Sequence, residues 1–227
     1  MIELHAWPTP NAYKVSILLE ELAIPYLVKP VDITGGAQFD QAFLRINPNG
    51  RMPAIVDTEA PDGPLAIFES GAILIYLAEK HGRFLPTEPH GRFAAIQWVM
   101  WQMSGLGPMF GQAFHFQHFA PEPIAYATDR YVREAGRLLK VLEQHLDGAE
   151  YIAGDLSIAD MACYPWTVVA GMLGLDMDAF PALATWQARM AARPGVARGM
   201  ALLEQHRMTA PRLDEAARRN LLGSRDA

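Results

Sequence analysis

Two stretches of this chain carry residue types and spacings suited to holding a small anionic molecule. The first is Asn47-Pro48-Asn49-Gly50-Arg51-Met52-Pro53, running into Ala54-Ile55-Val56-Asp57. Asn-Pro and Asn-Gly mark turns, and Ala54–Val56 has the length of a buried strand core. Pro53 has no N–H to give a ladder, so it belongs at the start of that strand. Met52 then keeps a backbone N–H and C=O free to pair with something other than sheet. A cis X-Pro bond is one way to hold such an edge open, although trans is the commoner form. The second stretch is a strand, Leu65–Phe68, then Glu69-Ser70 and a helix from Gly71. Ser70 reads as its N-cap, and the free amides of that helix suit a carboxylate. An edge offering backbone pairing beside a helix end that captures an anion fits a short peptide with a free carboxylate. An ordinary hairpin and capped helix, with Glu69 a solvated acid, accounts for the same residues.

Thr9 and Asn11 form a third candidate pair, at the junction between a first strand and a helix N-terminus; a helix cap is the alternative role for Thr9. His115 and His118 have a spacing open to a metal, but no acidic or cysteine partner lies near them in sequence, and lining a cleft is the other reading. The single cysteine, Cys163, sits in an apolar helical pattern and reads as a core thiol. Met100, Met103 and Met109 with Trp98 and Trp101 read as core and cleft wall, and Glu20-Glu21 as a solvated helix face.

The elements that must position these residues follow from periodicity. Ile2–Ala6 alternates as a strand, and Trp7-Pro8-Thr9-Pro10-Asn11 breaks it. Val15, Leu18, Leu19 and Leu22 give a helix over Asn11–Ala23, and Ile24–Asp32 a second strand, which predicts parallel pairing through the crossover. A short helical segment over Phe39–Ile46, the two strands above and a helix ending near His81-Gly82 complete a small α/β unit, residues 1–82. Arg83–Gly91 reads as a linker. Residues 92–205 then read as all-helical, with helices over Ala94–Gly105, Tyr126–Leu146 and Ala182–Ala192, the last closed by Arg193-Pro194-Gly195, and a capping box at Ser157-Ile158-Ala159-Asp160 opening another through Trp166. Residues 206–227 read as a charged tail.

Composition bounds the function. With 227 residues, 51% hydrophobic and 19% charged, the chain is globular rather than disordered. A net charge of −6 argues against a nucleic-acid surface. No apolar run is long enough to span a membrane, and the N-terminus lacks the pattern of a signal peptide. One cysteine excludes an internal disulfide and suits a reducing cytosol. A cytoplasmic protein is expected.

Strand, helix, strand, a Met-Pro loop and Glu-Ser before a helix resemble the thioredoxin-like domain of the glutathione transferase superfamily. The all-α C-terminal domain with Ser157-Ile158-Ala159-Asp160 is similar to that superfamily's second domain. Pro8-Thr9-Pro10-Asn11, Phe68-Glu69-Ser70-Gly71-Ala72-Ile73-Leu74 and Gly105-Leu106-Gly107-Pro108-Met109 look like the bacterial nu class, glutathione transferases with disulfide-bond oxidoreductase activity. The likeness covers about residues 1–200 and leaves the tail unaddressed. It implies that Glu69 and Ser70 bind the γ-glutamyl end of glutathione. Met52, before a cis Pro53, would pair its backbone with the cysteinyl residue. Gln38 would reach toward the glycyl end with help from Arg51, and Thr9 and Asn11 would face the sulfur. Arg130 would reach a glutathione in the partner subunit of a homodimer.

Glutathione chemistry needs a thiolate, and lowering a thiol pKa of about 8.5 by two units takes roughly 2.7 kcal/mol. A helix N-terminus supplies about 0.3–1 kcal/mol, up to about 2 when partly buried. A hydrogen bond to the charged sulfur supplies about 1.5–3 kcal/mol. One donor from Thr9 or Asn11 plus the helix end suffices, without a protein cysteine or any ionisable group. The expected activity is glutathione-dependent reduction of small disulfides or peroxides. Conventional conjugation of electrophiles and a non-catalytic glutathione-binding module are the alternatives. Glutathione is the implied co-substrate, and no metal is expected.

Overall fold

The computed structural model describes residues 1–207 and Glu215–Leu222. Ile2, Leu4 and Ala6 face inward and Glu3 and His5 outward, which makes β1 (Ile2–Ala6) a central strand. It is followed by α1 (Pro10–Leu22), β2 (Tyr26–Pro30), the short α2 (Gln41–Leu44), β3 (Ala54–Asp57), β4 (Leu65–Phe68) and α3 (Ser70–His81). The sheet order is β2-β1-β3-β4. β1 and β2 are parallel, with Ile2 opposite Tyr26. β3 runs antiparallel to both β1 and β4, with Ile2 opposite Asp57 and Ala54 opposite Phe68. This is the mixed sheet of a thioredoxin-like domain.

α3 is anchored to the sheet by Asp57 at the end of β3. Its buried carboxylate accepts from Tyr76 at 2.7 Å and from Lys80. Burial works to raise the Asp57 pKa, but these hydrogen bonds outweigh it and hold the carboxyl at about 2. The start of α3 is therefore fixed relative to β3 and the loop before it.

The rest is helical: α4 (Pro89–Trp101), α5 (Gly107–Phe114), α6 (Ala125–Leu146), α7 (Ile158–Thr167), α8 (Pro181–Ala191), α9 (Pro194–Met200) and α10 (Glu215–Leu222). Single π-turns, Gln102–Leu106 and His115–Phe119, flank α5. The capping box at Ser157 and Asp160 is present.

Several boundaries differ from the sequence reading. The segment expected over Phe39–Ile46 is a 3₁₀ turn, Ala37–Phe39, followed by α2. The helix expected from Ala94 begins at Pro89, inside the stretch read as linker. Glu88 caps it, accepting from the N–H groups of His90 and Gly91, and Pro89 takes the first-turn position that needs no N–H. Arg193-Pro194-Gly195, read as a stop, instead opens α9 by the same proline rule.

α9 packs on α1 closely enough that a Cβ at Gly199 would lie 2.5 Å from the Ile17 Cα, so only glycine fits there. Ser16 Oγ donates to the Gly199 carbonyl at 2.7 Å across that contact. Glu20-Glu21 is not a solvated face. The Glu21 side chain is 7% exposed and pairs with Arg193 at 2.7 Å, while Glu20 pairs with Arg198 at 2.6 Å and accepts from Tyr26 at 2.8 Å. These acids tie α1 to α9 and its approach. The expected tail, residues 206–227, falls partly outside the described residues. Of the described part, α10 lies against the loop after β2, where Asn220 Nδ2 donates to the Thr34 carbonyl at 2.7 Å.

Candidate functional site

Pro10 at the first turn of α1 fixes the helix start, and Thr9 is its N-cap with extended backbone. The Thr9 hydroxyl makes no capping bond. It turns away from its own helix and donates to Met52 Sδ at 3.4 Å. Asn11, in the first turn, accepts at Oδ1 from the Trp166 indole N–H at 3.0 Å. Because an indole can only donate, the Asn11 oxygen must face it, which leaves the Nδ2 hydrogens as donors elsewhere. Among the described residues they bond to nothing.

The Met52–Pro53 peptide is cis. Asn47 shapes the loop before it: its Oδ1 accepts from the Asn49 N–H at 2.9 Å and its Nδ2 donates to the Arg51 carbonyl. Gly50 takes a left-handed φ of 61°, which the turn needs. The ladder of β3 begins at Ala54, so Met52 lies outside it. Arg51 projects into solvent beside Met52.

At the second helix end the structure corrects one assignment. Ser70 is the first residue of α3, and Glu69 occupies the cap with no side-chain cap bond. Glu69 has φ 69° and ψ 113°, unusual for a residue with a side chain, and strain of this kind concentrates at ligand sites. With Glu69 in that conformation, Ser70 already has helical geometry. The buried Ser70 hydroxyl donates to Met103 Sδ at 3.5 Å. Both site hydroxyls thus rest on thioether sulfurs, which are weak acceptors that an anion displaces without difficulty.

Thr9, Asn11, Met52, Glu69 and Ser70 lie at two helix N-termini and the loop between them. Gln38 is buried near by, its carbonyl against Gly50, but its amide nitrogen already donates to the carbonyls of Asn220 at 2.7 Å and Ile33 at 3.4 Å. Arg130 is not brought to this cluster within the chain. It projects from α6 with its side chain 55% exposed, loosely paired with Glu134 at 3.9 Å. The Cys163 thiol is fully buried in α7, and burial pushes its pKa up, so it is no nucleophile. His115 and His118 sit in ring contacts with Phe116 and with Phe114 and Phe119. Among the described residues no group of three His, Cys, Asp or Glu could hold a metal. Nor is any described helix long and apolar enough to cross a membrane.

The sequence reading passed over Lys14 and Gln102, which are buried between these helix ends and bonded to each other. A lone lysine in a helix normally reads as solvent-facing. The only available signal was its place three residues before Ile17 and four before Leu18, on the apolar side of α1.

The model of the glutathione S-transferase N-terminal domain matches residues 1–79, and that of the C-terminal domain matches residues 106–194. The chain is 47% identical over 207 residues to the disulfide-bond oxidoreductase YfcG of Escherichia coli, covering 90% of this chain and 95% of that protein. A crystal structure of a glutathione transferase from Burkholderia graminis, with two glutathione molecules per subunit, superposes with a TM-score of 0.86 at 47% identity, covering 90% of this chain and 89% of that one. A glutathione transferase from Pseudomonas putida with one glutathione disulfide per subunit gives 0.84 at 40% identity, covering 89% and 91%. Matches to both domain models, together with relatives aligned over nine-tenths of the sequence, show that this chain belongs to the glutathione S-transferase family.

Proposed function

We propose that this protein is a glutathione-dependent disulfide-bond reductase that uses bound glutathione, not a protein cysteine, as its thiol. The observation that carries the reading is Asn11, whose oxygen is held by Trp166 so that its N–H₂ remains a donor at the N-terminus of α1. Thr9 adds a hydroxyl resting on a sulfur, and no cysteine lies at the site. The relatives' names point to the same chemistry.

In the proposed reaction Glu69 and Ser70 bind the γ-glutamyl end, Met52 pairs with the cysteinyl backbone, and Arg51 and Gln38 serve the glycyl end. Since the Gln38 amide donates to Asn220, its part requires that donor to be released from α10. Thr9 and Asn11 hold the sulfur as thiolate. That thiolate attacks one sulfur of a small disulfide; a new S–S bond forms, the old one breaks, and the leaving thiolate takes a proton. A second glutathione thiolate then attacks the mixed disulfide, giving glutathione disulfide and the second thiol. The two glutathiones supply the two electrons. Peroxides and electrophiles are the other substrates this thiolate could meet.

The test is a pair of turnover assays, reduction of hydroxyethyl disulfide and conjugation to chlorodinitrobenzene, on the wild type and Cys163→Ala. Disulfide reduction should dominate and survive the loss of Cys163. Conjugation dominating would make this a conventional transferase, and activity in neither assay a binding module.

We further propose a homodimer in the cytoplasm. Its support is β4, a sheet edge with Leu65 and Phe68 exposed, together with exposed Phe93, Met100 and Tyr126. Arg130 would reach the partner's glutathione. Arg130→Ala should weaken glutathione binding, measured by calorimetry, with melting unchanged, since its ion pair among the described residues is long and exposed on the Arg130 side. Equal affinity in the variant would remove Arg130 from the site.

A further inference from the structure

Lys14 lies three residues beyond Asn11 on α1, a spacing that makes them neighbours on one helix face. It is 1% exposed. Its Nζ donates to Gln102 Oε1 at 2.6 Å and lies 3.9 Å from Met103 Sδ, the sulfur that accepts from Ser70. Gln102 is wholly buried, and its Nε2 has no partner among the described residues. Gly107 leaves room for this amide, because a Cβ there would lie 2.8 Å from Gln102 Nε2 and 3.5 Å from Trp166 Nε1, the indole that orients Asn11. One buried amine therefore lies between the two helix ends, three residues along α1 from Asn11 and beside Met103, the sulfur that accepts from Ser70.

Lysine is almost never fully buried without a pairing charge. Among the described residues no carboxylate lies within ion-pair distance of Lys14. The titratable groups acting on it are Glu69, just before α3, and the Cys163 thiol of α7; the π-turn after α4 presents only neutral Gln102 and Met103. A cation placed between two expected anion positions, acted on by Glu69 but with no carboxylate in direct contact among the described residues, is arranged for a charge that arrives with a ligand.

We infer that Lys14 is a positioning residue whose charge stabilises bound glutathione as its thiolate, acting from beneath the site through Gln102 and Met103 without touching the sulfur. This rests on the glutathione reading above. Burial pushes the Lys14 pKa down to about 7, against the weaker upward pull of Cys163 and Glu69. The charge on the amine is therefore open to change near neutral pH. When the glutathione thiol loses its proton, the new anion favours the ammonium, so a proton taken up at Nζ offsets the one released at sulfur.

The experiment is ultraviolet titration of the thiolate of bound glutathione in the wild type, Lys14→Met and Lys14→Arg. Lys14→Met should raise the bound thiol pKa by about one unit, and Lys14→Arg should keep it near the wild-type value. In turnover, kcat/KM of Lys14→Met should fall at neutral pH and recover at higher pH. A purely structural lysine would change the melting temperature and leave the thiol pKa alone. An unshifted thiol pKa in folded Lys14→Met overturns the inference while the glutathione reading stands. A wild type that binds no glutathione overturns that reading instead. Should Lys14→Met fail to fold, calorimetry of glutathione binding to the wild type in buffers of different ionisation enthalpy decides the matter. Proton release near pH 7 smaller than the thiolate formed supports the inference, and release equal to it overturns it.

Discussion

Replacing Asn11 by Asp should abolish most of the activity while leaving the fold intact. The carboxylate keeps an oxygen for the Trp166 indole, so the contact between α1 and α7 survives. The change is confined to the other terminal atom, where a donating N–H₂ becomes an anionic oxygen. Loss of a hydrogen bond to a charged acceptor is worth about 1.5–3 kcal/mol. A like charge about 4 Å from the thiolate adds up to about 4 kcal/mol at a near-surface dielectric. Protonation of the new carboxyl limits the second effect, so a loss of about 10³-fold in kcat/KM for disulfide reduction at neutral pH is expected, where each 1.4 kcal/mol is tenfold. Asn11→Ala should cost less, since it removes the donor without adding a charge, but it leaves the Trp166 N–H unpaired and should also lower the melting temperature. Steady-state kinetics and a melting curve on both variants separate chemistry from fold. Asn11→Asp within tenfold of wild type would mean that the amide does not face the sulfur.

The sequence was most readable where local chemistry and fold agree. Alternation in Ile2–Ala6, the break at Trp7–Asn11 and the helical run to Leu22 give the crossover, and with it the parallel pairing of β1 and β2. The Met52–Pro53 loop was legible for the same reason, because proline and turn residues act locally. What escaped depended on distant partners. Ser70 looked like a cap because Ser caps helices, but the cap fell to Glu69 in a conformation no propensity suggests. The Asn11 amide is oriented by a tryptophan 155 residues away, and Lys14 is buried by a glutamine 88 residues away. Glu21 looked solvated because its partner, Arg193, sits beside an element that the Pro194-Gly195 pair made look like a stop. Gln38 is plain in sequence as a polar residue near the site; its engagement by Asn220 is a matter of where the chain returns.

The second large effect concerns the fold. Asp160→Ala should destabilise the protein by about 3–5 kcal/mol, because it leaves several buried donors without an acceptor at about 1–3 kcal/mol each. The Asp160 carboxylate is fully buried and accepts four hydrogen bonds: from the N–H groups of Ile152 at 2.9 Å and Ser157 at 3.0 Å, the Ser157 hydroxyl at 3.2 Å and the Trp186 indole at 2.9 Å. Burial raises its pKa, yet every contact is a donor, so the site is built around the ionised form. Alanine leaves two backbone amides and an indole unpaired, each costing about 1–3 kcal/mol unless water reaches it. It also dissolves the capping box at α7, the helix that carries Trp166 to Asn11, and the tie from α7 to α8 through Trp186. With 2–4 °C per kcal/mol typical of a chain of this length, the melting midpoint should fall by roughly 10 °C. Asp160→Asn should fall less, because its oxygen can still serve Ile152 and Trp186 while its N–H₂ meets the Ser157 N–H donor to donor. Thermal denaturation by circular dichroism orders the three proteins. If Asp160→Ala melts with the wild type, the network contributes nothing net, and the position of α7 must be set by its apolar packing alone.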